Sequence, residues 1–128
     1  MLRTFLGDRK GIAAIEFALL APAFLMLLVG TMTMAMLFFT ASSLHYATEA
    51  AARCASVKST VCKDAATTTE FAKTNFYGSS QVPVFTCTGR VCGGTAACGN
   101  KVVGTVTVTL DVGIASYSTP LRADACYP

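Results

Sequence analysis

The sequence predicts an α+β chain: a long N-terminal helix that crosses a membrane and continues as a stalk, followed by a small disulfide-stapled antiparallel β domain. Three observations carry that expectation. From Phe17 to Phe39 the chain reads FALLAPAFLMLLVGTMTMAMLFF, 23 residues without a charge. All six cysteines, Cys54, Cys62, Cys87, Cys92, Cys98 and Cys126, fall on the C-terminal side of that run. Beyond them, Val106, Val108, Leu110, Val112 and Ile114 alternate with Thr105, Thr107, Thr109, Asp111 and Gly113, the period of a strand with one apolar face.

The bulk composition agrees with a membrane-associated chain. Of 128 residues, 53% are hydrophobic and 13% charged, against roughly 25% charged in soluble domains; the mean hydropathy is +0.55. At 1.5 Å of rise per residue, roughly 20 apolar residues span a bilayer, so the 17–39 run supports one crossing. The leader before it, residues 1–11, carries Arg3, Arg9 and Lys10 against Asp8, and the first charge after the run is Glu49. This asymmetry places the N-terminus in the cytoplasm and everything after about Phe39 outside. Outside, seven Lys and Arg face five Asp and Glu with no cluster, which argues against a nucleic-acid surface.

Four regions follow in order: a basic leader (1–11), a helix (12–58), a polar connector (59–80) and a cysteine-rich β part (81–128). The last two together form one small extracytoplasmic domain, 59–128. The helix continues past the membrane because ASSLHYATEAAARCASV is alanine-rich, lacks Gly and Pro, and places Glu49 and Arg53 at i,i+4. Pro22 predicts a bend and Gly30 a weak point. In the connector, Lys63 to Phe76 suits a short helix despite the run Thr67–Thr69, which weakens it. A strand from Val82 precedes the Val/Thr strand, with GGTAACGN turning between them; Pro83 suits an edge strand or a strand start.

An even number of cysteines on the outer side, none inside, predicts structural disulfides formed in an oxidising compartment. Metal binding fits poorly: there is no C-x-x-C, and C-x4-C-x5-C matches no common zinc framework. Six cysteines allow 15 pairings. Cys54 and Cys62 are about 12 Å apart on an unbroken helix, too far for a disulfide, so pairing them requires the helix to end between them, near Ser59 and Thr60. A hairpin closed by Cys87 and Cys98 then leaves Cys92 for Cys126. His45 has no catalytic partners in the sequence, Tyr46 reads as an interfacial anchor, and Met26, Met32, Met34 and Met36 as adaptable packing surface. No nucleophile motif, phosphate loop or acidic pair occurs. The chain is expected to be no enzyme and to hold no cofactor, no metal and no small-molecule substrate.

The residue out of place is Glu16, five residues past Gly11 at the edge of the apolar run. An acid at the centre of a spanning helix costs about 2.5–3.5 kcal/mol, and less near the boundary. Either Glu16 faces water at the headgroup level, or it has a function. The stretch RKGIAAIEFALLAPAFLMLLVG, residues 9–30, resembles the processing site and N-terminal helix of type IV pilin-like proteins, most closely the TadE family of minor pilins and pseudopilins of the tight-adherence (Tad) pilus. Pro22, and more loosely the Y-x-x-P of Tyr117–Pro120, fit that family too. The resemblance implies cleavage by a prepilin peptidase between Gly11 and Ile12, which makes Glu16 the fifth mature residue and Phe17 the sixth. It further implies an inner-membrane protein with a periplasmic domain, incorporated into an extracellular pilus. Its partners would be other pilins and the pilus assembly platform, and its role biogenesis and adhesion. Cleavage creates an amine on Ile12 that the Glu16 carboxylate of a neighbouring subunit can neutralise. Two rival readings remain: an uncut single-pass protein with an outer binding domain, and a secreted disulfide domain cut after Ala35. Against the latter, the apolar run is longer than a signal-peptide core.

Overall fold

A computed structural model of the chain describes residues 10–78, 81–111 and 115–128, with side chains from Ile12 onward. The elements are α1 (Lys10–Val57), α2 (Ala65–Thr74), β1 (Val84–Gly89), β2 (Asn100–Asp111) and β3 (Ser116–Tyr127). They divide into two compact units, Met1–Ala35 and Met36–Pro128.

The described part of the first unit is the N-terminal portion of α1. It is apolar on all sides and almost wholly exposed, from Ile12, Ile15 and Phe17 through Leu28 and Met34, as expected of a helix whose surroundings are lipid or other helices. Pro22 lies inside α1, which runs on past it. Two threonine hydroxyls here are satisfied within the helix: Thr31 and Thr33 donate to the carbonyls of Leu28 (2.9 Å) and Gly30 (2.8 Å).

In the second unit the rest of α1 packs on a three-stranded antiparallel sheet of order β1-β2-β3. Residues 40, 43, 44, 47, 48, 51, 52 and 55 of α1 are buried, the three- and four-residue spacing of one helix face. This face is mostly Ala and Thr, so the helix comes close to the sheet. Leu44, Ala47, Ala51 and Ala52 meet Phe85, Val102, Val106, Ala123 and Ala72 in one core. Burying each of the larger side chains, such as Leu44, Phe85 and Val102, contributes about 1.5–3 kcal/mol. The Glu49–Arg53 spacing is not closed into an ion pair; the ion pairs among the described residues are Lys73–Glu70 and Lys101–Asp124, both at 3.4 Å.

The alternation in β2 is as read from the sequence. Val102, Val106 and Val108 point inward and Thr105, Thr107 and Thr109 outward; Val112, Gly113 and Ile114 lie outside the described residues. β1 follows Pro83 and occupies an edge. The short helix over Lys63–Phe76 is α2, and its threonines help to build it. Asp64 caps it, with its Oδ1 accepting from the Thr67 N–H (2.8 Å) and its own N–H donating to Thr67 Oγ1 (3.1 Å). Thr68 is buried and donates to the Asp64 carbonyl (2.7 Å). The strand unforeseen in the sequence is β3, which pairs along the full length of β2 from Asn100↔Tyr127 to Asp111↔Ser116.

That third strand corrects the expected disulfides. Cys54 pairs with Cys62 (Cα–Cα 5.8 Å), and α1 ends at Val57 between them. The other two bonds are Cys87–Cys92 and Cys98–Cys126 (Cα–Cα 5.6 and 6.0 Å), not Cys87–Cys98 and Cys92–Cys126. Register explains the change. Cys87 stands opposite Val102 in the β1–β2 ladder, while Cys126 stands opposite Lys101 in the β2–β3 ladder. Cys98, two residues before β2, therefore meets β3. Cys87 is closed by a tight local turn, in which the Gly89 N–H donates to the Gly93 carbonyl (3.1 Å).

Candidate functional site

The residues singled out by the sequence sit in the first described turns of α1. Lys10, Gly11 and Ile12 are already helical. A protease acts on extended backbone, so cutting between Gly11 and Ile12 requires this turn to unwind. Glycine eases that step, because it costs a helix interior about 1 kcal/mol relative to alanine. Ile12 and Glu16 are four residues apart and so share a helix face, about 6 Å along the axis. Side chains on a helix lean toward its N-terminus, which aims the Glu16 carboxylate along the axis toward the Ile12 end. Ile12 and Phe17 are 55% and 73% exposed, and Glu16 is exposed as well. The segment thus presents one carboxylate on an otherwise apolar surface, with a peptide bond four residues earlier whose cleavage would supply a cation.

All six cysteines are in disulfides. Among the described residues no group of three or more His, Cys, Asp and Glu is arranged to hold a metal ion. His45 is exposed on α1. An open groove of about 770 Å³ on the second unit runs between α1 and β3, bordered by Glu49, Arg53, Asp124 and Tyr127; its walls carry charges of both signs and no reactive cluster.

Sequence reasoning missed a polar tie that fixes the second unit. Buried Asn100 accepts from the Val91 N–H (3.0 Å) and donates to Ser56 Oγ (3.1 Å), and Ser56 donates to the Tyr127 carbonyl (3.1 Å). One asparagine thereby joins the cysteine loop, the end of α1 and the end of β3. A second missed contact is the Tyr77 N–H donating to Ser43 Oγ (2.6 Å). The three- and four-residue spacing of small residues over 40–55 was the available signal for the buried face that carries Ser43, but nothing local marks Asn100.

The family model described as TadE-like protein matches residues 11–53. No curated protein and no solved structure matches the chain. The match begins at Gly11, contains Ile12, Glu16 and Phe17, and runs through the Leu44–Ala52 face that packs on the sheet. The resemblance carried by residues 9–30 therefore holds and extends further along α1. Among the described residues, one helix is long and apolar enough to span a membrane. Over residues 11–53, about a third of its length, the chain is therefore similar to TadE-like proteins.

Proposed function

We propose that the chain is a structural minor pilin or pseudopilin of a Tad-type pilus. It is inserted in the inner membrane with its basic leader inside, cut by a prepilin peptidase after Gly11, and assembled beside other pilins through the N-terminal part of α1, so contributing to pilus biogenesis and adhesion. The observation that supports this most is the TadE-like match starting at Gly11, with a single carboxylate, Glu16, one helical turn past the residue that would become the N-terminus. In a low-dielectric packing of apolar helices, a carboxylate and an ammonium are each costly alone and compatible only as a pair. The pair exists only after cleavage, and its geometry sets the register between neighbouring helices. The work is structural, and the cysteine-rich unit acts as an outer cap whose small core is supplemented by three disulfides.

Intact-mass measurement or N-terminal sequencing of the membrane-extracted protein tests the reading. A mature start at Ile12 is expected. A start at Met1 would favour an uncut single-pass protein with an outer binding domain, and a start near Met36 a secreted disulfide domain.

A further inference from the structure

We infer that an aromatic depression at one end of the second unit is a lipid seat, by which the unit rests on the headgroup and upper acyl region of the bilayer. This rests on the reading of Phe17–Phe39 as a membrane span. The depression has a volume of about 500 Å³ and is lined by Phe39, Ser42, Ser43, Tyr46 and Tyr77. Its three rings are 57%, 58% and 64% exposed, an unusual outlay of aromatic surface for a face meeting only water.

The position of these rings identifies what covers them. Phe39 is the last residue of the uncharged apolar run. Tyr46 lies seven residues, or two turns, further on the same helix face. Tyr77 arrives from a different part of the chain, just after α2, and is fixed there because its N–H donates to the hydroxyl of Ser43, a residue only 9% exposed. A ring with a polar tip at this level is the pattern of membrane-interface belts, where Tyr and Trp are enriched.

Charge is distributed in the same sense. Residues 17–48 and 74–89 contain no Asp, Glu, Lys or Arg, and these two stretches supply every wall of the depression. Along α1 from Ser43 to Ser56, about 20 Å at helical rise, the contacts pass from Tyr77 to Asn100 and Tyr127. Arg53, Lys58 and the Lys101–Asp124 pair belong to that far end. The charge nearest to Tyr77 in sequence is Lys73, paired with Glu70; a lysine near headgroups is favourable. Two phenols beside a phenylalanine suit the mixed chemistry of the lipid interface better than the drier contact of a second copy.

The chain has no tryptophan, so single reporters can be read directly. The full chain is reconstituted into vesicles of phosphatidylethanolamine and phosphatidylglycerol containing lipid brominated near the acyl carbonyl. Fluorescence is compared for Tyr77→Trp, Tyr46→Trp, Leu28→Trp in the span and Val57→Trp at the charged end. Position 77 is expected to be quenched at least about twofold more than position 57, with position 46 behaving like 77; agreement of the two guards against misfolding of either variant. If positions 77 and 46 are unquenched while 28 is quenched, the seat is wrong and the span stands. If 28 is unquenched as well, the span reading fails and the seat with it. Blue-shifted but unquenched emission at 77 that grows with protein-to-lipid ratio would mean that a second copy covers the face, and would overturn the proposal.

Discussion

Thr48 of α1 lies over Gly104 of β2 so closely that a Cβ added at 104 would stand 2.9 Å from the Thr48 Cγ2 and 2.6 Å from Cε1 of Phe85. Helix and sheet therefore meet at a glycine. The Phe85 ring is buried between them and has little room to give. Gly104→Ala is expected to destabilise the folded unit by about 1–3 kcal/mol through overpacking, read as a lower unfolding midpoint of the full chain in detergent. Adding Phe85→Leu to Gly104→Ala should recover part of that loss, since the two changes share one space. Strict additivity would show that the clash is not the cause.

The three disulfides differ in burial and in the length of chain they close. Cys54 and Cys62 are 3% and 0% exposed, whereas Cys98 is exposed and Cys126 half-buried. Under graded reductant with alkylation and mass mapping, Cys98–Cys126 is expected to open before Cys54–Cys62, because exchange requires a thiolate to reach the sulfur. Thermodynamic weight follows another order. The bonds span sequence separations of 28, 8 and 5, for which chain entropy gives about 3.6, 2.5 and 2 kcal/mol. Removing the most accessible bond, by Cys98→Ser with Cys126→Ser, should therefore cost the most stability.

Asp64 ties stability to pH. Its carboxyl is held below the usual carboxylate range, first by the Thr67 N–H and then by the Thr67 hydroxyl. A group with a depressed folded pKa stabilises above its unfolded pKa, and that contribution is lost as pH falls through the folded value. Asp64→Ala should lower the unfolding temperature at neutral pH, and the gap to the parent chain should narrow as the solution is acidified below the carboxylate range. A gap that stays constant with pH would assign the effect to helix propensity instead of the cap.

What was legible in the sequence depended on whether a residue's role has a local signature. The Val/Thr alternation of β2 and the uncharged run of α1 are periodic, and both elements were readable. β3 was not, because Ser116–Pro120 has no apolar alternation and Pro120 argues against a strand. The strand is stable because it is an edge, where proline is tolerated, and because the whole of β2 is available to pair with it. The pairing of the last four cysteines failed for the same reason, since the partner of Cys98 is set by a ladder to a strand that could not be seen. In the candidate site, Gly11, Ile12, Glu16 and Phe17 could be singled out because they form one contiguous stretch, and the family match covers all four. Tyr77 and Ser43 were not, being 34 residues apart and joined only by the fold.

The proposed pairing of Glu16 with a processed N-terminus makes a prediction that separates charge from size. Glu16→Gln keeps the side-chain volume and hydrogen-bonding capacity but removes the negative charge. The proposed leader removal, at the Gly11–Ile12 bond a full helical turn away, should proceed as in the parent chain by intact mass. Incorporation should not. Leaving the new Ile12 amine uncompensated in a low-dielectric packing of helices costs about 3–5 kcal/mol, on the order of a hundredfold or more in the partition between membrane and assembled fractions. Co-sedimentation of the variant with pilus material measures that partition. The double change of Glu16→Gln with Gly11→Leu, which blocks the cut, should show no loss beyond that of Gly11→Leu alone, since without cleavage there is no amine to pair. Normal incorporation of Glu16→Gln after complete leader removal would leave Glu16 as a headgroup-level carboxylate facing water, and the register would then have to come from apolar packing along α1.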